Sequence, residues 1–185
     1  EARFYQAEYK DSVLSFRRAL AISPGAKWAP FAVYRSAEGY YRLGAYEKSM
    51  NEFKRAIELA DDDFLKSSSL LGLEANYEKL MLLDSAINIC DEIIQKYPAG
   101  DLVGDAYYRK TKLLYRQARY REAEEVSSLA IEKFPKSEFL DELRYELGWI
   151  CVMEGRHEDA VSLLGWVGKE STDANLSSSA ICKIG

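Results

Sequence analysis

The chain has 185 residues, of which 48% are apolar and 30% charged, with a formal net charge of −5. This balance is that of a globular protein and excludes an extended disordered chain. The longest apolar runs, such as 80–83, are too short to cross a bilayer. An acidic surface without long Lys/Arg runs also argues against nucleic acid as a partner, because it repels phosphates.

Apolar residues recur at intervals of three and four residues throughout the chain, which predicts amphipathic helices. Long stretches free of proline and glycine separate short turn-like segments. The predicted helices lie, in chain order, at about 10–22, 27–43, 46–60, 64–81, 84–97, 102–117, 120–134, 138–154, 157–168 and from 173 onward. The first few residues, 1–5, are expected to be the tail of a separate helix that precedes the first of these.

Alternate helices repeat one pattern with a period of 37 residues. Segments that begin at residues 9, 46, 83, 120 and 157 align without gaps. Each carries a small residue three places in: Ser12, Ser49, Ala86, Ala123 and Ala160. We name the first helix of each repeat helix A and the second, which carries the small residue, helix B. A side chain of this size allows helix B to approach helix A closely, and stacked hairpins then complete the core.

Proline and glycine mark where these helices end. Pro24, Pro98 and Pro135 follow three of the B helices, and proline cannot continue a helix. Gly44 and Gly155 lie in the turn between helix A and helix B, where a left-handed residue ends a helix well. The third repeat has Met81 at this place, which we expect to loosen or re-angle the local packing.

The stretch Tyr40-Tyr-Arg-Leu-Gly-Ala-Tyr46, followed by Ser49, Phe53 and Ala56, resembles the tetratricopeptide repeat family. The later stretch with Leu147-Gly148, Gly155 and Ala160 fits the same pattern. The resemblance implies an all-α fold, a right-handed superhelix of antiparallel helix pairs. The family's usual period is about 34 residues. The longer repeat here, with Tyr97-Pro98 and Phe134-Pro135, resembles a bacterial subclass that includes outer-membrane assembly lipoproteins and Tol–Pal coordinators.

On this reading the chain is one repeat array, cut from a longer protein. It comprises a partial repeat 1–26, full repeats at about 27–63, 64–100, 101–137 and 138–174, and a partial repeat 175–185. The subclass resemblance favours a bacterial envelope or periplasmic location. A cytoplasmic location is the alternative, and it is mildly favoured by the odd number of cysteines, which leaves at least one unpaired.

The resemblance also implies a binding surface, because inward-facing residues of the A helices line a groove in this family. By alignment, the partner-binding residues are expected to be Tyr34, Tyr41, Arg42, Lys79, Tyr108, Lys112, Tyr115, Arg116, Tyr145 and Trp149. The basic members predict a partner with acidic or C-terminal carboxylate features. The competing interpretation is that the tyrosines pack between neighbouring A helices, and that Arg42 and Arg116 are ordinary solvated surface.

Catalytic chemistry is not evident. With a single histidine, His157, a hydrolase triad or a histidine metal cluster is hard to assemble, and this histidine occupies a place filled by tyrosine in other repeats. Cys90 and Cys151 fall at core places, and the acidic run 61–63 is better explained as a helix cap than as a cation site. We therefore predict no catalytic residues, no metal and no cofactor. The predicted function is a non-enzymatic scaffold for a protein or peptide, with a self-assembling homo-oligomer or a regulatory module of a larger protein as alternatives.

Overall fold

The computed structural model describes the backbone of residues 2–184 and the side chains of residues 6–183. Within that range the chain forms ten α-helices and no β-strand. The helices are α1 (Ala2–Ile22), α2 (Ala29–Arg42), α3 (Tyr46–Leu59), α4 (Asp63–Lys79), α5 (Leu83–Lys96), α6 (Val103–Arg116), α7 (Tyr120–Lys133), α8 (Leu140–Met153), α9 (His157–Glu170) and α10 (Ala174–Ile184). The all-α prediction is confirmed, with α2, α4, α6, α8 and α10 as A helices.

The helices form two compact units, Glu1–Leu102 and Val103–Gly185. In the first unit each helix packs on the next, and α2 also contacts α4. The second unit is built in the same way: successive helices pack together, and α8 also contacts both α6 and α10. Within each unit the A helices are therefore neighbours.

The predicted small residues lie at the contact between the two helices of a hairpin. Ser49, Ala86 and Ala123 have no exposed surface, and Ala160 is 3% exposed. Bulky side chains fill the space that remains: a Cβ added at Gly72 would lie 2.2 Å from the Phe53 ring. The close helix approach predicted from the repeat is thus confirmed at these four positions.

The N-terminal repeat differs from the prediction in two ways. Ser12, the first of the small residues, is exposed. The turn expected before residue 10 is absent, since α1 is continuous from Ala2 to Ile22. The alignment therefore does not predict the exposure of this position in α1.

The turn between helix A and helix B has one backbone geometry in all four complete hairpins. Its central residue has a positive φ at positions 44, 81, 118 and 155, each 37 residues after the last. In the first turn the Gly44 N–H donates to the Tyr41 carbonyl at 2.9 Å, and the Ala45 N–H donates to the Tyr40 carbonyl at 2.9 Å. This is the Schellman arrangement, and the same two bonds recur in the other three turns.

Two of these turns have no glycine. Met81 has φ 59° and Ala118 has φ 57°, close to the 72° of Gly44 and 74° of Gly155. Met81 therefore keeps the turn geometry of the other repeats, and its expected loosening of the local packing stays a prediction. The hydrogen bonds and helix packing hold the L-residue in a left-handed conformation that costs roughly 1–2 kcal/mol.

Candidate partner-binding face

In the first unit, Tyr34 is largely engaged by its own neighbours. Its ring contacts Phe53 edge-on at a centroid distance of 5.7 Å, and its hydroxyl donates to Glu38 Oε1 at 3.1 Å. Burial and the adjacent Glu38 carboxylate raise the pKa of Tyr34 to about 12. Arg35 Nη1 completes the group with a 2.7 Å contact to Glu38 Oε2. This geometry supports the packing interpretation for Tyr34.

The other candidates of the first unit lie near the ends of the A helices. The Tyr41 ring contacts Tyr46 at 5.8 Å, across the turn between α2 and α3. Arg42 is exposed and borders a cleft between α1 and α2, together with Tyr9 and Ser12. Lys79 is exposed at the end of α4. These side chains do not form one cluster in the contacts of the first unit.

In the second unit, α6 presents a row of aromatic rings. Tyr108 is half-buried and stacks on Phe139, with centroids 5.5 Å apart and planes 14° apart. Lys112 Nζ lies 5.1 Å from the centre of the Tyr108 ring. Tyr115 lies one helical turn after Lys112, and its ring contacts that of Tyr120 at a centroid distance of 5.5 Å. Burial raises the pKa of both Tyr108 and Tyr115, so both hydroxyls stay protonated at neutral pH.

The neighbouring helix α8 adds aromatic and acidic side chains to the same side of the second unit. Tyr145 and Trp149 meet edge-on at 6.4 Å, and both are half-buried. Lys183 Nζ, on α10, lies 4.6 Å from the centre of the Trp149 ring. Glu146 is close enough to Lys112 and Tyr108 for their charges to interact. Burial raises the pKa of the Glu146 carboxyl, and the nearby Lys112 opposes this rise.

The structure thus brings together one half of the residues predicted from the sequence. Those gathered on α6 and α8 of the second unit are Tyr108, Lys112, Tyr115, Tyr145 and Trp149, with Arg116 exposed at the end of α6. Glu146 was missed by the alignment. The signal for it was its place one helical turn after Glu142, on the same helix face as Tyr145 and Trp149.

Chemically reactive side chains are dispersed. His157 is exposed as the first residue of α9. Cys90 and Cys151 are buried, as predicted, Cys182 is exposed, and none of the three forms a disulfide. Asp62 Oδ1 accepts from the Leu65 N–H at 2.7 Å and so caps α4, which confirms the expected role of the acidic run.

Among the residues described, no group of three or more His, Cys, Asp or Glu side chains is placed to hold a metal ion. No helix in the described part of the chain is both long enough and apolar enough to cross a membrane.

Comparison with known proteins gives a fold but no family. The sequence matches no protein-family model and no curated protein. Among solved structures, BtubC from P. vanneervenii superposes with a TM-score of 0.77 at 15% identity, over 100% of this chain and 82% of that one. A tetratricopeptide repeat protein from Parabacteroides merdae gives a TM-score of 0.74 at 14% identity, over 99% and 72% of the two chains.

A third similar structure is YrrB, described as a tetratricopeptide repeat protein with an unusual peptide-binding site. It superposes with a TM-score of 0.67 at 16% identity, over 98% of this chain and 88% of YrrB. At such identities the similarity concerns the fold alone. The chain therefore has the fold of tetratricopeptide-repeat helical solenoids.

Proposed function

We propose that the chain is a non-enzymatic scaffold that binds a partner protein or peptide on the A helices of the second unit. The observation that carries the proposal is the set of half-buried aromatic rings on α6 and α8, flanked by charged side chains. Rigid aromatic rings with adjacent polar groups are the residues that protein interfaces use as anchors. The fold shared with YrrB, whose description includes a peptide-binding site, supports the same function.

The first unit carries exposed basic side chains of its own. Arg42 and Lys79 are exposed near the ends of the A helices α2 and α4. An acidic side chain or a C-terminal carboxylate of the partner would pair with them. Exposed charge pairs of this kind affect the rate of association and its salt dependence more than the affinity.

We further propose that the chain is one array of hairpins and part of a longer protein of the bacterial envelope subclass. The shared geometry of the four turns, at a spacing of 37 residues, supports the single array. The Tyr97-Pro98 and Phe134-Pro135 pairs that end α5 and α7 support the subclass. The gene that encodes the full-length protein tests this: a lipoprotein or secretion signal is expected upstream of this segment.

Capture of the natural partner tests the binding face. Replacement of Tyr108 and Tyr145 by alanine is expected to reduce capture at least about tenfold, because interface aromatic anchors contribute more than 1–2 kcal/mol each. The matched control replaces Leu129 and Val161 by alanine, since both are exposed apolar residues on the B helices. Equal capture by the two double variants would disprove the assignment of this face.

Self-association is the second candidate function, and the exposed Ser12 favours it. This residue occupies the place that is buried in the other repeats, and it borders the cleft between α1 and α2. A helix from a second copy that packs there would bury it. Light scattering of the wild type and of Ser12→Arg distinguishes the candidates: a dimer that the substitution dissociates supports self-association, and a monomer in both excludes it.

A further inference from the structure

One face of α8 alternates carboxylates with aromatic rings. The four residues are Glu142, Tyr145, Glu146 and Trp149, which we call the α8 strip. Their spacing of three and four residues places them on one side of the helix. All four are half-buried, so the strip is neither core nor fully solvated surface.

The two carboxylates of the α8 strip lack the pairing found elsewhere on the molecule. Glu38 contacts Arg35 at 2.7 Å, and Glu122 contacts Arg119 at 2.6 Å. Within the described side chains, neither Glu142 nor Glu146 forms a salt bridge. The charge of Lys112 attracts the Glu146 carboxylate, while Asp141, Asp173 and Glu138 repel that of Glu142. Their separation of four residues places two like charges side by side, which is unfavourable.

The aromatic rings around the α8 strip already attract cations. Lys183 Nζ lies 4.6 Å from the centre of the Trp149 ring, and Lys112 Nζ lies 5.1 Å from the centre of the Tyr108 ring. The negative face of an aromatic ring favours such positions. Lys112 belongs to α6 and Lys183 to α10, the two A helices that contact α8.

We propose that the α8 strip binds a basic side chain of the partner, and most favourably an arginine. The inference rests on the proposed function, for it names the chemistry that the binding face recognises. A guanidinium provides five donors in a planar fork, which can bridge two carboxylates and stack on Tyr145 or Trp149. A partner carboxylate at the same place would instead meet two half-buried negative charges.

The test uses a blocked hexa-arginine peptide as probe and the Trp149 indole N–H as a local NMR reporter. The signal is assigned with Trp149→Phe, and Trp28 and Trp166 serve as internal references. Titration with hexa-arginine is expected to shift the Trp149 signal to saturation, while hexa-glutamate leaves it unchanged. Glu142→Gln with Glu146→Gln should raise the Kd for hexa-arginine at least about tenfold, as expected for loss of a desolvated charge pair.

A matched control separates local binding from attraction to an acidic protein. Glu132→Gln with Glu158→Gln removes the same net charge from exposed positions on α7 and α9. This control is expected to change the Kd by less than about twofold, since exposed charges contribute little. Melting curves should show that both double variants remain folded.

Three results would overturn the inference. The first is an equal loss of affinity in both double variants, and the second is a Trp149 signal that hexa-arginine does not move. The third is a Trp149 signal shifted by hexa-glutamate in place of hexa-arginine, which would leave the binding face intact and reverse its charge preference. The proposed function itself is tested by a different measurement, the capture of the natural partner by the double variant of Tyr108 and Tyr145.

Discussion

Two hairpins of the first unit place different chemistry at the same position of the repeat. In the hairpin of α2 and α3, the Ser49 hydroxyl donates to the Ala37 carbonyl at 2.9 Å and accepts from Asn76 Nδ2 at 3.0 Å, so that α2, α3 and α4 are joined by buried hydrogen bonds. In the hairpin of α4 and α5 the equivalent residue is Ala86, and in the second unit Ala123 and Ala160, whose side chains carry no polar group. The repeat therefore constrains the size of this residue and leaves its polarity free.

Glu38 on α2 and the two carboxylates of the α8 strip differ in how they are paired. Glu38, in the first unit, is satisfied by Arg35 and Tyr34. In the second unit Glu142 and Glu146 form no salt bridge among the described side chains, although the charge of Lys112 attracts Glu146, and they lie on the same helix as Tyr145 and Trp149. The first arrangement is complete without a ligand, whereas the second gains most from an external cation.

The largest effect on stability is expected from a substitution of the buried small residue of the repeat. Ala123→Arg places a charge and a long side chain where no surface is exposed, and should cost at least about 1–3 kcal/mol from overpacking alone. A fall in Tm of at least about 2 °C is expected from thermal unfolding. Ser12→Arg is the control, because Ser12 occupies the same repeat position and is exposed. Similar melting temperatures for the two variants would contradict the repeat alignment.

A smaller effect tests the buried hydrogen bonds of the first unit. Ser49→Ala keeps the shape used in the other repeats but removes the bonds to Ala37 and Asn76, at an expected cost of about 1–2 kcal/mol. Chemical denaturation measures this loss. A double-mutant cycle with Asn76→Ala should show a coupling of at least about 0.5 kcal/mol, whereas additive effects would mean that the two side chains do not interact.

The left-handed turns allow a gain in stability. Met81→Gly and Ala118→Gly should each stabilise the protein by roughly 0.5–1 kcal/mol, because glycine adopts positive φ without strain. Gly44→Ala and Gly155→Ala should do the reverse, since an added Cβ at either glycine meets open space and the effect is one of backbone alone. Denaturation midpoints that move against these signs would disprove the shared turn geometry.

The smallest effect concerns the pH dependence of the α8 strip. Burial raises the pKa of Glu146 above its ordinary value of 4.5, so the folded state binds this proton more tightly than the unfolded state does. At a pH above the raised pKa the buried carboxylate is charged and destabilises the fold. This destabilisation disappears as the carboxyl is protonated at lower pH. Glu146→Gln is expected to raise Tm at pH 7 and to have little effect below pH 4.5. A lower Tm at pH 7 would show that the carboxylate has a partner in the folded protein.

Periodicity predicted the helices well because the same helix packing recurs every 37 residues. The burial of Ser49 and the approximate bounds of α3 both follow from that pattern. The pattern did not predict that Ser12 is exposed, or that the turn at Met81 keeps its geometry without a glycine. Both depend on tertiary contacts that a local pattern does not contain.

The repeat alignment predicted only part of the candidate site. Alignment placed Tyr145 and Trp149 on an A helix, and the structure brings them together with Tyr108 and Lys112 through the contacts of α8 with α6. The alignment did not distinguish Tyr145 from Tyr34, whose hydroxyl donates a hydrogen bond to Glu38 on its own helix. Pairing between side chains is set by rotamers and neighbours, and the repeat pattern carries neither.

Site-specific photo-crosslinking tests the central claim, that the A helices of the second unit bind the partner. A benzophenone side chain is introduced in place of Met153, at the end of α8, or in place of Leu129 on α7; both residues are exposed and apolar. With the natural partner present, we predict a crosslink from position 153 and none from position 129. A crosslink from position 129 alone would contradict the account.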